Sequence, residues 1–520
     1  MAHTMSTFQY YRSNFGKDAL ASVVVFLVAL PLCMGISIAS GVPPTAGLIT
    51  GIIGGIVVGW LAGSPLQVSG PAAGLTVLVW QIVQQYGLAM MGVIVLLAGL
   101  LQLAAGLLKL GQWFRAVSPA VIHGMLAGIG VLIFTSQFHV MLDGRPIGSG
   151  IDNLVGLPGA FSHAVADGGA PQAALGIGIL TIAVIALWTS FAPKKLKMLP
   201  APLVAIIVAV VTASVLQLKI KYIPDLLANP SDINHIWSVI QFPTLDNLKN
   251  VFHSGVLIAA ASVAFIASAE TLLCASAVDQ MHQGPRTKYD KELAAQGVGN
   301  ALCGLLGVLP LTGVIVRSSA NVDAGGQTRT SAILHGVWLL VFAAVLPFTL
   351  AYIPVASLAG LLVFTGYKLA YPKIVPKLLQ YGGTEAAIYF STIVVIVSTD
   401  LLKGVLFGLA LSIFKLLYIF SHLEIRWEDD KVNNRLNLYL KGSATLIRLP
   451  LLAAELEGVR PGAELHVHFE ELDYIDHACL DLITNWEKQH EASGGMLVIE
   501  WEELSWKYHQ RRAGAQKAAA

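Results

Sequence analysis

Charge is what this chain has least of. Only 12% of its residues are Asp, Glu, Lys or Arg, where an ordinary soluble domain carries about 25%. The 32 Lys and Arg against 31 Asp and Glu leave a net charge of +1, so no basic footprint for nucleic acid exists. Cysteine is scarce as well. Cys33, Cys274, Cys303 and Cys479 have no C-x-x-C spacing and no histidine cluster beside them, and they read as small core residues rather than a metal or redox centre. No nucleophile with its base, metal set or cofactor motif stands out, which argues against an enzyme. A small-residue cleavage site is also missing. The first apolar run follows Arg12 and Lys17 and continues through Pro31, so it reads as a retained span and not a signal peptide.

What is abundant is apolar sequence. The chain of 520 residues is 55% hydrophobic with 50 glycines, and its mean hydropathy is +0.69. Runs near spanning length recur from Ala19 to Phe420, and counting them predicts about fourteen crossings of a lipid bilayer. They fall around 19–38, 44–62, 64–84, 88–108, 119–142, 172–191, 200–217, 254–278, 291–308, 310–326, 331–352, 355–370, 384–399 and 402–420. With residues 1–18 placed inside, one side receives Lys109, Arg115, Lys194, Arg286, Lys288 and Lys373 among others, and the opposite side Arg145, Lys219, Lys221, Lys249 and Lys403. That is about a threefold excess, which assigns the richer side and both termini to the cytoplasm. A bacterial inner membrane is the expected location.

The polar stretch from Leu218 to Phe252 divides the crossings seven and seven. An odd number per half inserts the second half upside down relative to the first, so similar halves form an inverted repeat over 19–217 and 254–420. Two stretches at matching places break the helical grammar. They are Gly63–Gly74 (GSPLQVSGPAAG) and Pro310–Asn321 (PLTGVIVRSSAN), preceded by Gly47, Gly51, Gly54 and Gly55 in one half and Gly297, Gly299, Gly304 and Gly307 in the other. Each reads as an extended run ending at a helix N-terminus inside the membrane. Such breaks persist in lipid only where protein buries them or where they line a cavity, and a half-helix N-terminus carries partial positive charge. Two facing termini make an anion site, the arrangement of a secondary transporter.

In the first break Pro71 suits the first helical position and Ser69 or Gly70 the cap, leaving the N–H groups of Ala72, Ala73 and Gly74 free to face a ligand. In the second, Ser318 and Ser319 offer caps and hydroxyls and Arg317 adds a full charge. An arginine within the hydrocarbon region marks function unless it forms a structural ion pair. Glu270, the one acid placed squarely inside a predicted span, is its expected partner; it could equally carry a coupling proton or bind sodium. Asp279, Asp290 and Glu292 are read as solvated, His123, His139 and His335 as hydrogen-bonded core histidines, and Gln102 as a polar link between helices.

After the charged bridge Arg426–Asp430 the pattern changes. Strands are predicted at Leu436–Leu440, Glu464–Phe469 and Met496–Glu500, and helices at Leu451–Leu456 and His477–His490, giving a small cytoplasmic α/β domain over 421–508 followed by a tail at 509–520. No phosphate loop or catalytic set lies in it, so interaction or regulation is its expected work.

These residues resemble the SulP anion transporters. The likeness rests on Ala29-Leu30-Pro31 with Gly35, Ala39-Ser40-Gly41-Val42-Pro43-Pro44, Gly47-Leu48, Ser69-Gly70-Pro71, Glu270, Gln296-Gly297 with Asn300, and Thr312-Gly313 with Arg317, Ser318 and Asn321. The tail resembles a STAS domain, with Tyr474-Ile475-Asp476 at its helix-entry loop. The resemblance covers nearly the whole chain and implies a 7+7 inverted-repeat fold with two half-helices, a core domain holding a small inorganic anion, a gate domain, elevator-type movement and a homodimer. It departs at Val314 and Val316, where relatives often carry hydroxyls, and at His477, where Ser or Thr is common. The wording of Val28–Cys33 and of the first break is similar to the bacterial branch associated with carbonic anhydrase, which favours bicarbonate over sulfate or a dicarboxylate and makes carbonic anhydrase or a cytoplasmic regulator an expected partner. A nucleobase permease of the same fold and a non-transporting scaffold or sensor are the competing readings.

Overall fold

The computed structural model describes residues 7–112, 118–147, 149–193, 196, 199–226, 236–430, 435–469 and 471–499. The tail at 509–520 and residues 1–6, Arg115 and Lys194 lie outside them. The chain forms two compact units, Met1–Leu409 and Ala410–Ala520. The first is helical. In order, α1 is Thr7–Ala39, α2 Pro44–Leu61, α3 Ala73–Leu107, α4 Pro119–Met141, α5 Gly150–Asp167, α6 Gly169–Phe191 and α7 Ala201–Val215. The second half supplies α8 Ser254–Met281, α9 Tyr289–Leu305, α10 Ile315–Asp323, α11 Thr330–Val345, α12 Val355–Ala370, α13 Gly383–Ser398 and α14 Leu401–Phe420. Seven of these helices are long and apolar enough to cross a membrane, and α7, α11 and α13 are apolar but shorter.

Helix α3 is two crossings in one assigned element. At Gly87 the backbone adopts φ 78° and ψ 168°, a left-handed conformation that glycine reaches without steric cost, and the helix restarts beyond it. With that break, α1, α2, the two arms of α3, α4, α6 and α7 make seven crossings, and α8 to α14 make the second seven. The pairings repeat between halves: α2 packs on α11, and the second arm of α3 packs on α9. Both contacts are backbone-close. A Cβ on Gly55 would lie 2.6 Å from the Gly336 Cα, and one on Gly304 would lie 2.1 Å from the Leu96 backbone nitrogen. Small residues at these positions let helices associate by close van der Waals contact where no hydrophobic effect drives them together.

Helix α5 is an addition to the predicted elements. Its Ser149 cap accepts from the Asp152 N–H while the Asp152 carboxylate accepts from Ser149, a reciprocal box that starts a helix firmly. Pro158 within it hides the helical pattern from a sequence reading.

The second unit contains a five-stranded sheet ordered β3-β4-β5-β7 with β6 also on β4. Here β3 is Leu423–Asp430, β4 Arg435–Ala444, β5 Glu464–His468, β6 Leu472–Ile475 and β7 Met496–Ile499, with helices α15 Leu449–Glu457 and α16 His477–Ala492. Strands β3 and β4 are antiparallel and the rest of the ladder is parallel. The predicted strands and helices are all present among the described residues, while Glu500 and the rest of the predicted domain to 508 lie outside them. Two further strands are not bridge or loop as expected. The charged stretch Arg426–Asp430 belongs to β3, whose alternate residues Leu423, Ile425 and Trp427 pack on the core of Leu438, Leu440, Leu452, Leu465, Val467 and Ile483. Tyr474 and Ile475 close β6, after which Asp476 caps α16 by accepting from the Cys479 N–H at 2.9 Å.

Candidate functional site

The two breaks are bound to each other. Ser69–Pro71 forms β1 and Leu311–Gly313 forms β2, paired antiparallel with Ser69 opposite Gly313, Gly70 opposite Thr312 and Pro71 opposite Leu311. Each strand runs into a helix. After β1 the chain passes extended Ala72 (φ −115°, ψ 141°) into the 3-10 turn Ala73–Leu75 that begins α3; after β2 it passes Val314 (φ −108°, ψ 112°) into α10. Because the strands are antiparallel, the helices leave opposite ends of the ribbon, and their N-termini face each other across three residues, roughly 10 Å at strand rise.

Neither N-terminus has a side-chain cap. This corrects three expectations. Pro71 is the last residue of a strand rather than the first of a helix, Ser69 and Gly70 lie in that strand, and Ser318 and Ser319 sit a turn inside α10. Ser318 Oγ donates to the Val314 carbonyl at 2.8 Å and accepts from the Val68 N–H at 2.9 Å, and Ser319 Oγ donates to the Val316 carbonyl at 3.1 Å. The ribbon needs the ladder bonds that a capping geometry would have spent. The consequence stands in part, since neither Ala72 nor Val314 at the N-cap positions supplies a side-chain acceptor to its first turn.

Buried polar side chains fix the ribbon in place. Asn300 of α9 donates to the Leu311 carbonyl at 3.0 Å and accepts from the Leu311 N–H at 2.7 Å, and it also donates to Gln102 at 2.7 Å. Thr271 of α8 accepts from the Gly313 N–H at 3.0 Å, Gln296 donates to Ser69 Oγ at 2.6 Å, and Asn321 donates to the Leu66 carbonyl at 3.0 Å. Glu292 was expected in solvent and is fully buried. Its carboxylate accepts from the N–H groups of Gly63 and Ser64 at 2.8 and 2.9 Å and from Gln67 and Gln296 at 3.0 and 2.9 Å. Asp279 is likewise buried, accepting from the N–H and hydroxyl of Thr287, and Asp290 accepts from the Gly111 N–H at 3.0 Å. Polar residues at helical spacing inside an apolar segment were the available signal. A carboxylate at the predicted edge of a span gave no sign of which side it faced.

Arg317 is 0% exposed. Its Nη2 donates to the Pro71 carbonyl at 3.3 Å, tying α10 to β1, while Nε and Nη1 are buried without a protein partner. The guanidinium lies against Gly70 so closely that a Cβ there would be 2.1 Å from Nη1. Among the described residues no ion pair joins it to Glu270, which corrects the expected partnership. Glu270 instead lies by the first half-helix, where a Cβ on Gly74 would stand 2.5 and 2.7 Å from its two carboxylate oxygens. One acid and one cation thus occupy separate places beside the ribbon. Sequence position alone could not reveal this, because each side chain's direction is set by the twist of a different helix.

Further buried polar atoms near the breaks lack a protein partner, namely Ser64 Oγ, Gln67 Oε1, Gln296 Oε1, Asn321 Oδ1 and His335 Nε2. Native proteins pair nearly all such atoms, and exceptions gather at functional places. Two opposed helix N-termini and a buried arginine without an acid make an arrangement suited to an anion. The inverted-repeat fold with its paired half-helices is that of a secondary transporter.

The chain belongs to the sulfate permease family, whose model matches residues 15–414, and it is an anion transporter. It is 31% identical over 416 residues to the putative sulfate transporter YvdB of Bacillus subtilis, covering 78% of this chain and 74% of that protein. It is 27% identical over 408 residues to the bicarbonate transporter BicA of Picosynechococcus, covering 75% and 68%. Among solved structures, the transmembrane domain of a cyanobacterial BicA superposes with a TM-score of 0.63 at 28% identity, over 75% of this chain and 97% of that one. The murine solute carrier 26 family member A9, an anion transporter solved in an inward-facing state, shares the fold with a TM-score of 0.72 at 13% identity over 96% of this chain and 89% of that one. That span includes the C-terminal unit.

Proposed function

We propose that this protein imports bicarbonate across a bacterial plasma membrane, holding the anion between the N-termini of α3 and α10 with Arg317 supplying the full positive charge. The observation that carries the reading is the ribbon-linked pair of uncapped half-helices with a buried, acid-free arginine beside it. In this reading Ser69, Gly70, Pro71, Ala72, Ala73, Ser318 and Ser319 shape the site, and Glu270 takes the coupling ion, sodium or a proton. The ribbon and its half-helices travel as one body in an elevator-type movement, in a homodimer with both termini in the cytoplasm. The C-terminal unit serves as a docking place for carbonic anhydrase or a cytoplasmic regulator.

Bicarbonate is favoured by the similarity to BicA at both sequence and structure level. Sulfate is the second reading, favoured by the 31% identity to YvdB. The test is uptake of labelled bicarbonate and of labelled sulfate into proteoliposomes, with and without a sodium gradient and across a pH step. Saturable bicarbonate uptake that sulfate does not inhibit supports the proposal; sulfate uptake alone replaces bicarbonate with sulfate and leaves the site unchanged. A normal rate in Arg317→Ala overturns the site.

A further inference from the structure

The connection between α8 and α9 encloses a cavity that the anion site does not use. It measures about 790 Å³, and its walls include Gln112, Asp279, Arg286, Lys288, Asp290 and Lys291. It lies where α3 ends, α8 ends and α9 begins, on the side richer in lysine and arginine. The connection is held in shape by its two acids. Asp279, in the last turn of α8, accepts from the Thr287 N–H at 3.1 Å, the Thr287 hydroxyl at 2.9 Å and the Tyr289 hydroxyl at 3.4 Å, while its backbone carbonyl accepts from Arg286 Nη1. Asp290 accepts from the Gly111 N–H at 3.0 Å, and a Cβ on Gly111 would lie 2.9 Å from the Asp290 backbone nitrogen. That contact seats the end of α3 against the start of α9. The cations are treated differently. Lys288 and Lys291 are exposed and form no ion pair among the described residues, so three cations against two engaged acids leave positive charge facing the cavity.

We infer that this cavity binds the phosphodiester headgroup of an anionic phospholipid, with Lys288 and Lys291 on the phosphate and the acyl chains lying along α3. The inference needs neither the anion site nor the substrate proposed above. Basic pockets between membrane helices suit such headgroups, and ammonium groups bind phosphate oxygens through charge-assisted hydrogen bonds. What selects a lipid over a soluble phosphate compound is the surface leading to the cavity. Leu100, Leu101, Leu107 and Leu108 make an exposed apolar stripe at helical spacing on α3, with Leu107 and Leu108 exposed by 71% and 72%, and it ends one turn before Gln112 on the cavity wall. Chains packed on these leucines deliver their headgroup there. Lys288 also connects the cavity to the first break. Its N–H donates to the Gly63 carbonyl at 3.2 Å, and its own carbonyl accepts from the N–H of Glu292 at 2.9 Å, the residue whose carboxylate holds Gly63 and Ser64. A bound headgroup thus braces the start of α9 and, through it, the entry to β1.

The experiment is lipid binding to the full-length protein in detergent, followed by native mass spectrometry as phosphatidylglycerol or the zwitterionic phosphatidylcholine is added. The forms compared are wild type, the double variant Lys288→Gln/Lys291→Gln, the charge-keeping pair Lys288→Arg/Lys291→Arg, and Lys373→Gln/Lys377→Gln, which removes equal charge from exposed positions outside the cavity. Glutamine leaves the backbone bonds of Lys288 in place, so the connection keeps its fold. Wild type should prefer phosphatidylglycerol to phosphatidylcholine, and Lys288→Gln/Lys291→Gln should bind phosphatidylglycerol about thirtyfold more weakly, the loss of two interfacial charges. The arginine pair and the Lys373/Lys377 variant should bind as wild type does. Wild-type binding by Lys288→Gln/Lys291→Gln overturns the inference. An equal loss in Lys373→Gln/Lys377→Gln also overturns it, since general surface charge would then account for the binding. Glycerophosphoglycerol, the same headgroup without acyl chains, should displace the lipid only at a large excess; displacement at equal concentration gives the cavity to a soluble phosphate ester and removes the lipid from it.

Discussion

Gly70→Ala offers a clean perturbation of the site, because it adds one methyl group at the point where β1 meets the guanidinium of Arg317. The new Cβ would stand 2.1 Å from Nη1 and 3.2 Å from Cζ, so the guanidinium must retreat by more than an ångström to reach ordinary contact. It cannot swing into solvent, because Arg317 is fully buried, and its bond to the Pro71 carbonyl at 3.3 Å must lengthen or break. For a unit-charge pair at an effective dielectric of about 20, growth in separation from about 4 to about 5 Å weakens the attraction by about 0.8 kcal/mol, close to fourfold in affinity. The overpacking itself destabilises by about 1 to 3 kcal/mol. The expected outcome is a KM for the anion raised about fourfold, with a lower melting temperature and a folded, monodisperse protein. Concentration-dependent uptake in proteoliposomes reads the first quantity and a thermal melt in detergent the second. An unchanged KM together with an unchanged melt would refute the claim that Arg317 is pinned against Gly70 beside the substrate.

Other substitutions test the frame. Glu292→Ala removes the acceptor of the Gly63 and Ser64 N–H groups and of the Gln67 and Gln296 amides, and leaving these buried donors unpaired should cost about 3 kcal/mol, seen as a clear drop in the melting temperature; a wild-type melt contradicts the burial argument. Asn300→Ala removes both bonds to Leu311 and should cut uptake at least tenfold in a protein that still runs as wild type on size exclusion. Asp18, three turns into α1, accepts from the N–H groups of Gln327 and Thr328 at 2.7 and 3.0 Å, so Asp18→Ala should loosen the loop after α10 and speed its amide hydrogen exchange while exchange in α4 and α12 stays the same. In the C-terminal unit, Asp476→Ala removes the α16 cap and should destabilise that helix by about 1 kcal/mol, detectable by hydrogen exchange across α16.

Much of the fold was legible because lipid imposes a simple rule. A span must be long and apolar, so the crossings, the seven-and-seven division and the two breaks at Ser69-Gly70-Pro71 and Thr312-Gly313 could be read from runs and glycines alone. The C-terminal strands β4, β5 and β7 were likewise legible from alternation, whereas β3 was not, since Glu424, Arg426 and Glu428 between its core residues read as a charged bridge. The site was legible in identity and not in geometry. Arg317, Glu270, Gln296 and Asn300 all stand out as polar residues in apolar surroundings, but a helix places a residue on one side of its axis, and which neighbour lies there depends on packing that sequence spacing does not encode. The pairing of Arg317 with Glu270 failed for that reason, and the burial of Glu292 was missed because an acid at a helix end normally faces water.

Charge balance ties these geometric details to transport. Moving an uncompensated charge through the low-dielectric part of a bilayer costs several kcal/mol or more, so a carrier whose site crosses that region must be near neutral in each state that moves. On the site proposed above, Arg317 positive and Glu270 negative cancel in the empty carrier, while the buried Glu292 is held by its four bonds in every state. Adding a monovalent anion alone leaves one negative charge in excess. Adding it with one cation on Glu270 restores the balance. Because Arg317 and Glu270 are not an ion pair, neither masks the other, and each can be compensated separately by its own ligand. This predicts one cation per bicarbonate, measurable as the slope of steady-state accumulation against the imposed cation gradient in proteoliposomes. Sulfate, with twice the charge, needs two cations or crosses with a net charge that makes its uptake depend on membrane voltage. Cation-independent accumulation of bicarbonate by wild type would remove Glu270 from the coupling scheme.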